Sequence, residues 1–386
     1  MPATDTTYDA IVVGVGGMGS AALYHLTKHG ATRVLGLEQF DIAHDKGSSH
    51  GLSRMIRLAY WEHPSYVPLL RRAYDLWRDL EGATGEALLI TTGSIDAGPA
   101  GSPAIIGARR ACDMFDLPHV LYDGASLTRA FPGYRLPPDF TALHQPDGGF
   151  LGPERCIRAH VAAAQRAGAV VHTHERVLGW TERGESVAVR TDRATYTCRQ
   201  VIVTAGAWAG KLLTDLQLML TPERQVMLWV EPLRPEYFQP ATFPVVYMHA
   251  AEGSFYALPS HEGAGVKFGK YHHLRQQVDP DAMDRECHPE DEHVLRECVR
   301  RYFPDADGPT LAMKTCLFTN TPDEHFVITR FAGSPITIAA GFSGHGFKFC
   351  SVVGEILADL ALHGGTRHDI SLFAPNRTTK RWLKDL

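Results

Sequence analysis

The segment Gly14-Val-Gly16-Gly17-Met18-Gly19 fits the pattern G-x-G-x-x-G, and its flanks suit it. An apolar, β-branched run, Asp9-Ala-Ile-Val-Val13, precedes it, and helical apolar spacing follows from Met18 to His29. Such glycines permit a tight turn and let backbone N–H groups approach a pyrophosphate at a helix N-terminus. Glu38 closes the next strand-like run, Val34-Leu-Gly-Leu37, 19 residues past Gly19, where a carboxylate accepts from ribose hydroxyls. The chemistry implied is dinucleotide binding. The motif alone does not separate NAD from FAD, and its bland alternative is glycines that serve only helix–strand packing.

Three further places carry reactive side chains. In Gly47-Ser-Ser49-His50-Gly-Leu-Ser53-Arg54-Met-Ile-Arg57, the two arginines are three apart and His50 lies four before Arg54. On a helix these share a face; on a strand the arginines point oppositely, and spacing does not choose between them. Without further context the segment reads as a solvated basic edge. Lys348 follows an apolar strand and the turn Gly341-Phe-Ser-Gly344-His-Gly346-Phe347. A cation at a helix start opposes the macrodipole, which argues for an anionic partner there. Cys316 stands between Thr315 and Leu317, and alone reads as a small buried hydrophobe.

The elements that must position these residues follow from periodicity. Asp9–Val13, Met18–His29 and Val34–Leu37 form a βαβ unit, with Gly30 ending the helix. Helices are expected over 65–82, 153–167 and 289–302, with a last one running to Leu362. Strands are expected at 169–172, 183–190, 200–204 and 336–340. Residues 84–150 are rich in Gly and Pro, and 217–330 contain aromatic-rich strands. This layout places one α/β domain in three segments, with a second domain inserted between them.

Composition bounds the rest. A chain of 386 residues, 44% hydrophobic and 21% charged, reads as two or three globular domains. The net charge of −5, without a run of five like charges, excludes a basic nucleic-acid stripe. No window approaches the roughly 20 apolar residues of a membrane span. Pro2, Thr4, Asp5 and Thr6 carry no secretory-signal pattern, and the final Lys384-Asp385-Leu386 matches no peroxisomal or retention address. Seven scattered cysteines without a Cys-x-x-Cys pair fit reduced thiols in a cytoplasm, and no zinc site is expected.

The block Gly47–Tyr60, the block Gly341–Phe349 and Cys316 followed by Thr321-Pro-Asp323-Glu324-His325-Phe326 resemble the signatures of the monomeric sarcosine oxidase and N-methyltryptophan oxidase family. The likeness runs through nearly the whole chain. It implies FAD, attached covalently through Cys316, in a glutathione-reductase-like Rossmann domain with an inserted α+β substrate domain built on an antiparallel sheet. The implied boundaries are 1–85, 150–215 and 320–386 for the FAD domain, and 86–149 and 216–319 for the substrate domain.

By the same resemblance Gly14, Gly16, Gly17, Met18, Gly19, Glu38, Ser49, Val177, Gly344 and Gly346 contact the cofactor, and His50 and Arg54 lie against its ring. Arg57 and Lys348 hold the substrate carboxylate, a role that suits the bidentate fork of arginine. Lys267, in Gly265-Val-Lys-Phe-Gly269, matches a lysine that promotes reaction with O2; its bland alternative is a surface lysine on an edge strand. Tyr256 matches a pocket tyrosine. Past Lys267 the correspondence slips by one residue around Lys270: His272 is assigned as the active-site histidine, with His273 as competitor, while counting forward from Lys267 lands on Tyr271. Phe318 replaces a family tyrosine, which implies a more apolar amine substituent. The implied activity is oxidative demethylation of N-methyl amino acids to formaldehyde, primary amino acid and H2O2. The alternative is a related enzyme of cyclic imino acids or other N-substituted amino acids. The implied partners are a secondary amine and O2, and the implied form is a cytoplasmic monomer.

Overall fold

A computed structural model describes residues 7–375 apart from Gln217, so both terminal segments lie outside the described residues. Strand β1 (Thr7–Val13), helix α1 (Gly17–Lys28) and strand β2 (Val34–Leu37) form the expected βαβ unit, with β1 and β2 parallel. The strand Val170–His172 extends the sheet parallel beyond β2. On the other side of β1 lies Thr195–Val203, also parallel. Its first half continues into an antiparallel hairpin with Ser186–Thr191 and Val177–Arg183, and its second half pairs in parallel with Ile336–Ala340. The single strand expected at 183–190 is therefore the turn and second arm of a hairpin. Its alternating Val187, Val189 arm carries the apolar signal, while the first arm is mostly exposed.

The second sheet takes its strands from 94–145 and 221–320. Its order is Thr310–Asn320, Thr221–Val230, Val266–Lys270, Gly253–Leu258, Val245–Ala250, Ser94–Pro99, Phe140–Gln145 and Val120–Asp123. It is antiparallel except where Val245–Met248 runs parallel to Ser94–Ala97. A three-stranded sheet of Arg54–Ile56, Gly149–Leu151 and Leu89–Thr91 connects the regions.

Alternation decides what each face of the second sheet does. Val226, Leu228, Val246, Met248, Phe255, Phe268 and Ile95 turn to one side, where Leu295, Cys298, Val299 and Tyr302 of the helix Pro289–Tyr302 join them in one core. The residues between them turn to the opposite face. All seven cysteines are free thiols. Among the described residues no helix is long and apolar enough to cross a membrane.

Candidate active site

At the end of β1 the chain turns through Gly14 (φ +86°), where an added Cβ would meet Thr204 O at 2.7 Å. Gly19 packs so tightly that a Cβ would sit 1.9 Å from Gly14 O, so this glycine closes the turn from behind and does not line the cleft. Gly16 is different: nothing lies within 4 Å of a Cβ built there, and the residue faces the open cleft. Space kept free above a helix N-terminus is what a pyrophosphate requires. Glu38 is buried and holds this turn to β2, accepting from Val15 N–H at 2.8 Å and Phe40 N–H at 3.0 Å. Two carboxylate oxygens have lone pairs left for a ribose.

One long cleft starts at this turn. Gly17, Met18, Glu38, Ser49 and Val177 line its nucleotide end. Beyond it the lining includes Arg54, Arg57, Tyr256, Lys267, Cys316, Gly344, Gly346 and Lys348. Much of the far wall is the second sheet's inner face. Register pairs Tyr247 with Tyr256, Tyr256 with Gly269, Lys267 with Trp229, and Cys316 with Gln225, so all these residues share that face. Gly344 (φ +78°) packs against Phe318, whose ring a Cβ would meet at 2.4 Å, so this loop closes directly on the wall.

The segment after Gly47 adopts the strand alternative: Arg54–Ile56 is a strand, with Arg57 just past its end. The two guanidiniums accordingly go to different places. Arg54 Nη2 donates to Ser48 O at 2.9 Å and lies 3.5 Å from Cys316 Sγ. Arg57 is buried; Nη2 donates to both Glu62 oxygens at 3.1 and 3.2 Å, and Nη1 lies 3.4 Å from Asp96. Burial works against the Arg57 charge, but Asp96 and Glu62 outweigh it and hold the pKa above its usual value. Its Nε–H has no partner.

Lys348 sits in a single 3-10 turn, Phe347–Phe349, ahead of the helix Cys350–His363. It is buried, donates to His345 O at 2.7 Å and lies 5.2 Å over the Tyr60 ring. Burial, and then Arg57, bring its pKa down to about 7. Lys267 is no edge-strand surface lysine. It is 1% exposed and donates to Gly51 O (2.9 Å) and Ser53 O (2.6 Å). Burial first and Arg54 second push its pKa well below the usual value.

Besides Gly19, two sequence assignments fall outside the cleft lining. His50 is buried behind it with neither ring nitrogen hydrogen-bonded, and burial, then Arg54 and Lys267, lower its pKa to about 3, so it stays neutral. His272 points away from the pocket. Alternation from Lys267 through Gly269 brings Tyr271, not His272, to the cleft. His272 instead lies between Glu223 (3.1 Å) and Glu324 (3.0 Å), whose hydrogen bonds raise its pKa to about 9. His273 is buried against Asp291, also outside the cleft. Counting forward from Lys267 therefore identifies the pocket residue. Sequence reasoning did not single out Tyr247, Glu62 or Asp96. The signal for Asp96 was an acid amid the apolar strand Ser94-Ile-Asp-Ala97, and for Glu62 its place five residues after Arg57.

A family model described as FAD dependent oxidoreductase matches residues 9–360. The chain belongs to the FAD-dependent oxidoreductase family. Among relatives of this oxidoreductase, the monomeric sarcosine oxidase of Streptomyces avermitilis is 43% identical, over 96% of this chain and 98% of that protein. The N-methyl-L-tryptophan oxidase of Citrobacter koseri is 32% identical over 97% and 100%. A solved structure of NikD, an unusual amino acid oxidase essential for nikkomycin biosynthesis, superposes with a TM-score of 0.84 at 26% identity, covering 96% and 97% of the two chains. The open Gly16 position, the helix N-terminus at Gly17 and the carboxylate of Glu38 fit the FAD this family uses.

Proposed function

We propose that this oxidoreductase oxidises the CH–NH group of N-methyl, secondary amino acids with O2 as acceptor, releasing formaldehyde, the primary amino acid and H2O2. The observation that carries the reading is a pair of buried cations, Arg57 and Lys348, in a cleft walled by Tyr247, Tyr256, Tyr271 and Phe318. Two fixed cations orient an amino acid through its carboxylate and bring its C–H bond into place, while the aromatic wall excludes water.

Gly14, Gly16, Gly17 and Glu38 would hold the dinucleotide of FAD, and Arg54, Cys316, Gly344 and Gly346 its ring end. FAD, when bound, supplies the electron-accepting ring. The protein's own part is electrostatic. Arg54, Lys267 and Lys348 disfavour a protonated amine, so the substrate enters the pocket as the neutral base. The backbone amides of Gly344, Gly346 and Phe347 would approach where negative charge gathers, whereas the His345 N–H is spent on Phe342 O at 3.0 Å. The names of the Streptomyces and Citrobacter relatives, which specify sarcosine and N-methyl-L-tryptophan, support an N-methyl amino acid. The first of these names also supports a monomer, and the free thiols suit a reducing cytoplasm.

A panel of N-methyl amino acids, primary amino acids and N-methylamines without an acid group tests this, with peroxide and formaldehyde both measured. Equimolar peroxide and formaldehyde from the N-methyl amino acids alone is the expected result. Equal turnover of the acid-free amines would overturn it. A second reading, an oxidase or dehydrogenase of cyclic imino acids, draws on Phe318, whose ring lies 5.4 Å from Tyr271 and makes an apolar wall for a ring substituent. It predicts turnover of proline-like compounds without formaldehyde.

Cys316 is the attachment point in this reading. Its thiol lines the cleft, with the Arg54 guanidinium 3.5 Å away. Denatured parent protein should keep its flavin in the precipitate and carry the flavin's added mass. Cys316→Ala should release all of its flavin to the supernatant. Parent protein that releases its flavin equally would remove the covalent link.

A further inference from the structure

Asp96 lies mid-strand in Ser94–Pro99, between Tyr247 on one neighbour and Leu143 on the other. It is fully buried, and neither carboxylate oxygen has a hydrogen-bond donor. A buried carboxylate without donors is strongly disfavoured, since the low-dielectric interior replaces none of its hydration. The charged and titratable groups that face it are Arg57 and Glu62 from the segment after Arg54–Ile56, Lys348, Tyr247 from the adjacent strand, and Cys112 from the helix Pro103–Met114. Asp96 is outside the cleft lining, so it reaches a ligand only through Arg57.

With Arg57 and Lys348 charged, Glu62 and Asp96 bring this buried set to neutrality. A ligand carboxylate adds one negative charge that the interior cannot leave uncompensated. Glu62 lies in the same segment and is already gripped by Arg57 through two hydrogen bonds that protonation would break. Asp96 has no such bonds to lose.

We propose that Asp96 is a positioning residue for Arg57 that takes up one proton from solvent when the pocket receives a carboxylate. The proton goes to an Asp96 oxygen, Arg57 keeps Glu62 or exchanges it for the ligand, and the set stays neutral. Burial raises the Asp96 pKa to about 7, which agrees with a proton exchanged near neutral pH. The proposal rests on Arg57 and Lys348 being the carboxylate clamp.

The experiment uses the holoenzyme and (methylthio)acetate, an acetate with a thioether in place of the amine. Titration at pH 8 by calorimetry, in two buffers of different ionisation enthalpy, should show uptake of about one proton per ligand bound. The dissociation constant should rise about tenfold per pH unit on the alkaline side. An infrared difference spectrum of the unmutated enzyme should gain a protonated-carboxyl band on binding, shifted in D2O. Asp96→Asn, which carries the neutral form permanently, should bind without proton uptake and without the band. Binding by the parent with no proton uptake and no carboxyl band overturns the proposal while leaving the clamp intact. Uptake retained in Asp96→Asn also overturns it and moves the proton to Lys348. Failure of the parent to bind the acetate at any pH would instead discard the clamp.

Discussion

Lys267→Met is expected to slow reoxidation of the reduced enzyme by O2 by about 10²–10³-fold while leaving anaerobic reduction by substrate nearly unchanged. Lys267 is a fully buried cation on the cleft wall, its ammonium held by the Gly51 and Ser53 carbonyls. A cation fixed in a dry site stabilises developing negative charge far more than one in water, and removal of one such group costs about that factor. Methionine matches the aliphatic stem and packs beside Trp229, which lies 5.4 Å from the ammonium. The two half-reactions are measured separately by stopped flow. Equal slowing of both would place Lys267 in substrate binding and remove it from the oxygen step. The depressed Lys267 pKa adds a sign: the cationic form is lost as pH rises, so oxygen reactivity should fall toward alkaline pH in the parent and stay flat in the variant.

The second expected result concerns the clamp. Lys348→Met should weaken (methylthio)acetate binding by at least about 30-fold, because loss of one partner of a desolvated ion pair costs about 2–5 kcal/mol. Arg57→Lys should not restore an affinity lost in Arg57→Met. The guanidinium already spends Nη1 on the Ala59 carbonyl and Nη2 on Glu62, and keeps Nε–H as a further donor. An ammonium cannot serve these directions at once. Lys348→Met and Arg57→Met should also lose the preference for N-methyl amino acids over amines without the acid. Titration of the flavin spectrum reads the affinity directly. Unaltered binding in Lys348→Met and Arg57→Met together would put the anion site elsewhere and withdraw the substrate class.

The sequence by itself determined the local elements and the chemistry that short spacing encodes. Thr7–Val13, Gly17–Lys28 and Val34–Leu37 follow from an apolar run, helical spacing and three glycines, all set by neighbours a few residues apart. The helix Pro289–Tyr302 and the strand Ile336–Ala340 lie where periodicity puts them. The family resemblance, carried by blocks around Arg54, Cys316 and Lys348, pointed to FAD, and those residues line one cleft.

What the tertiary structure decided is which residues meet across the sheet. A one-residue slip in strand register exchanges the two faces, and no local signal reports it. That is why the slip near Lys270 led to His272, whereas the face shared by Lys267, Gly269 and Tyr256 brings Tyr271 to the pocket. The same long-range pairing sets Asp96 beside Tyr247 and 3.4 Å from Arg57. Sequence spacing separates these groups by tens of residues, and only the burial of their charges in one low-dielectric space couples them.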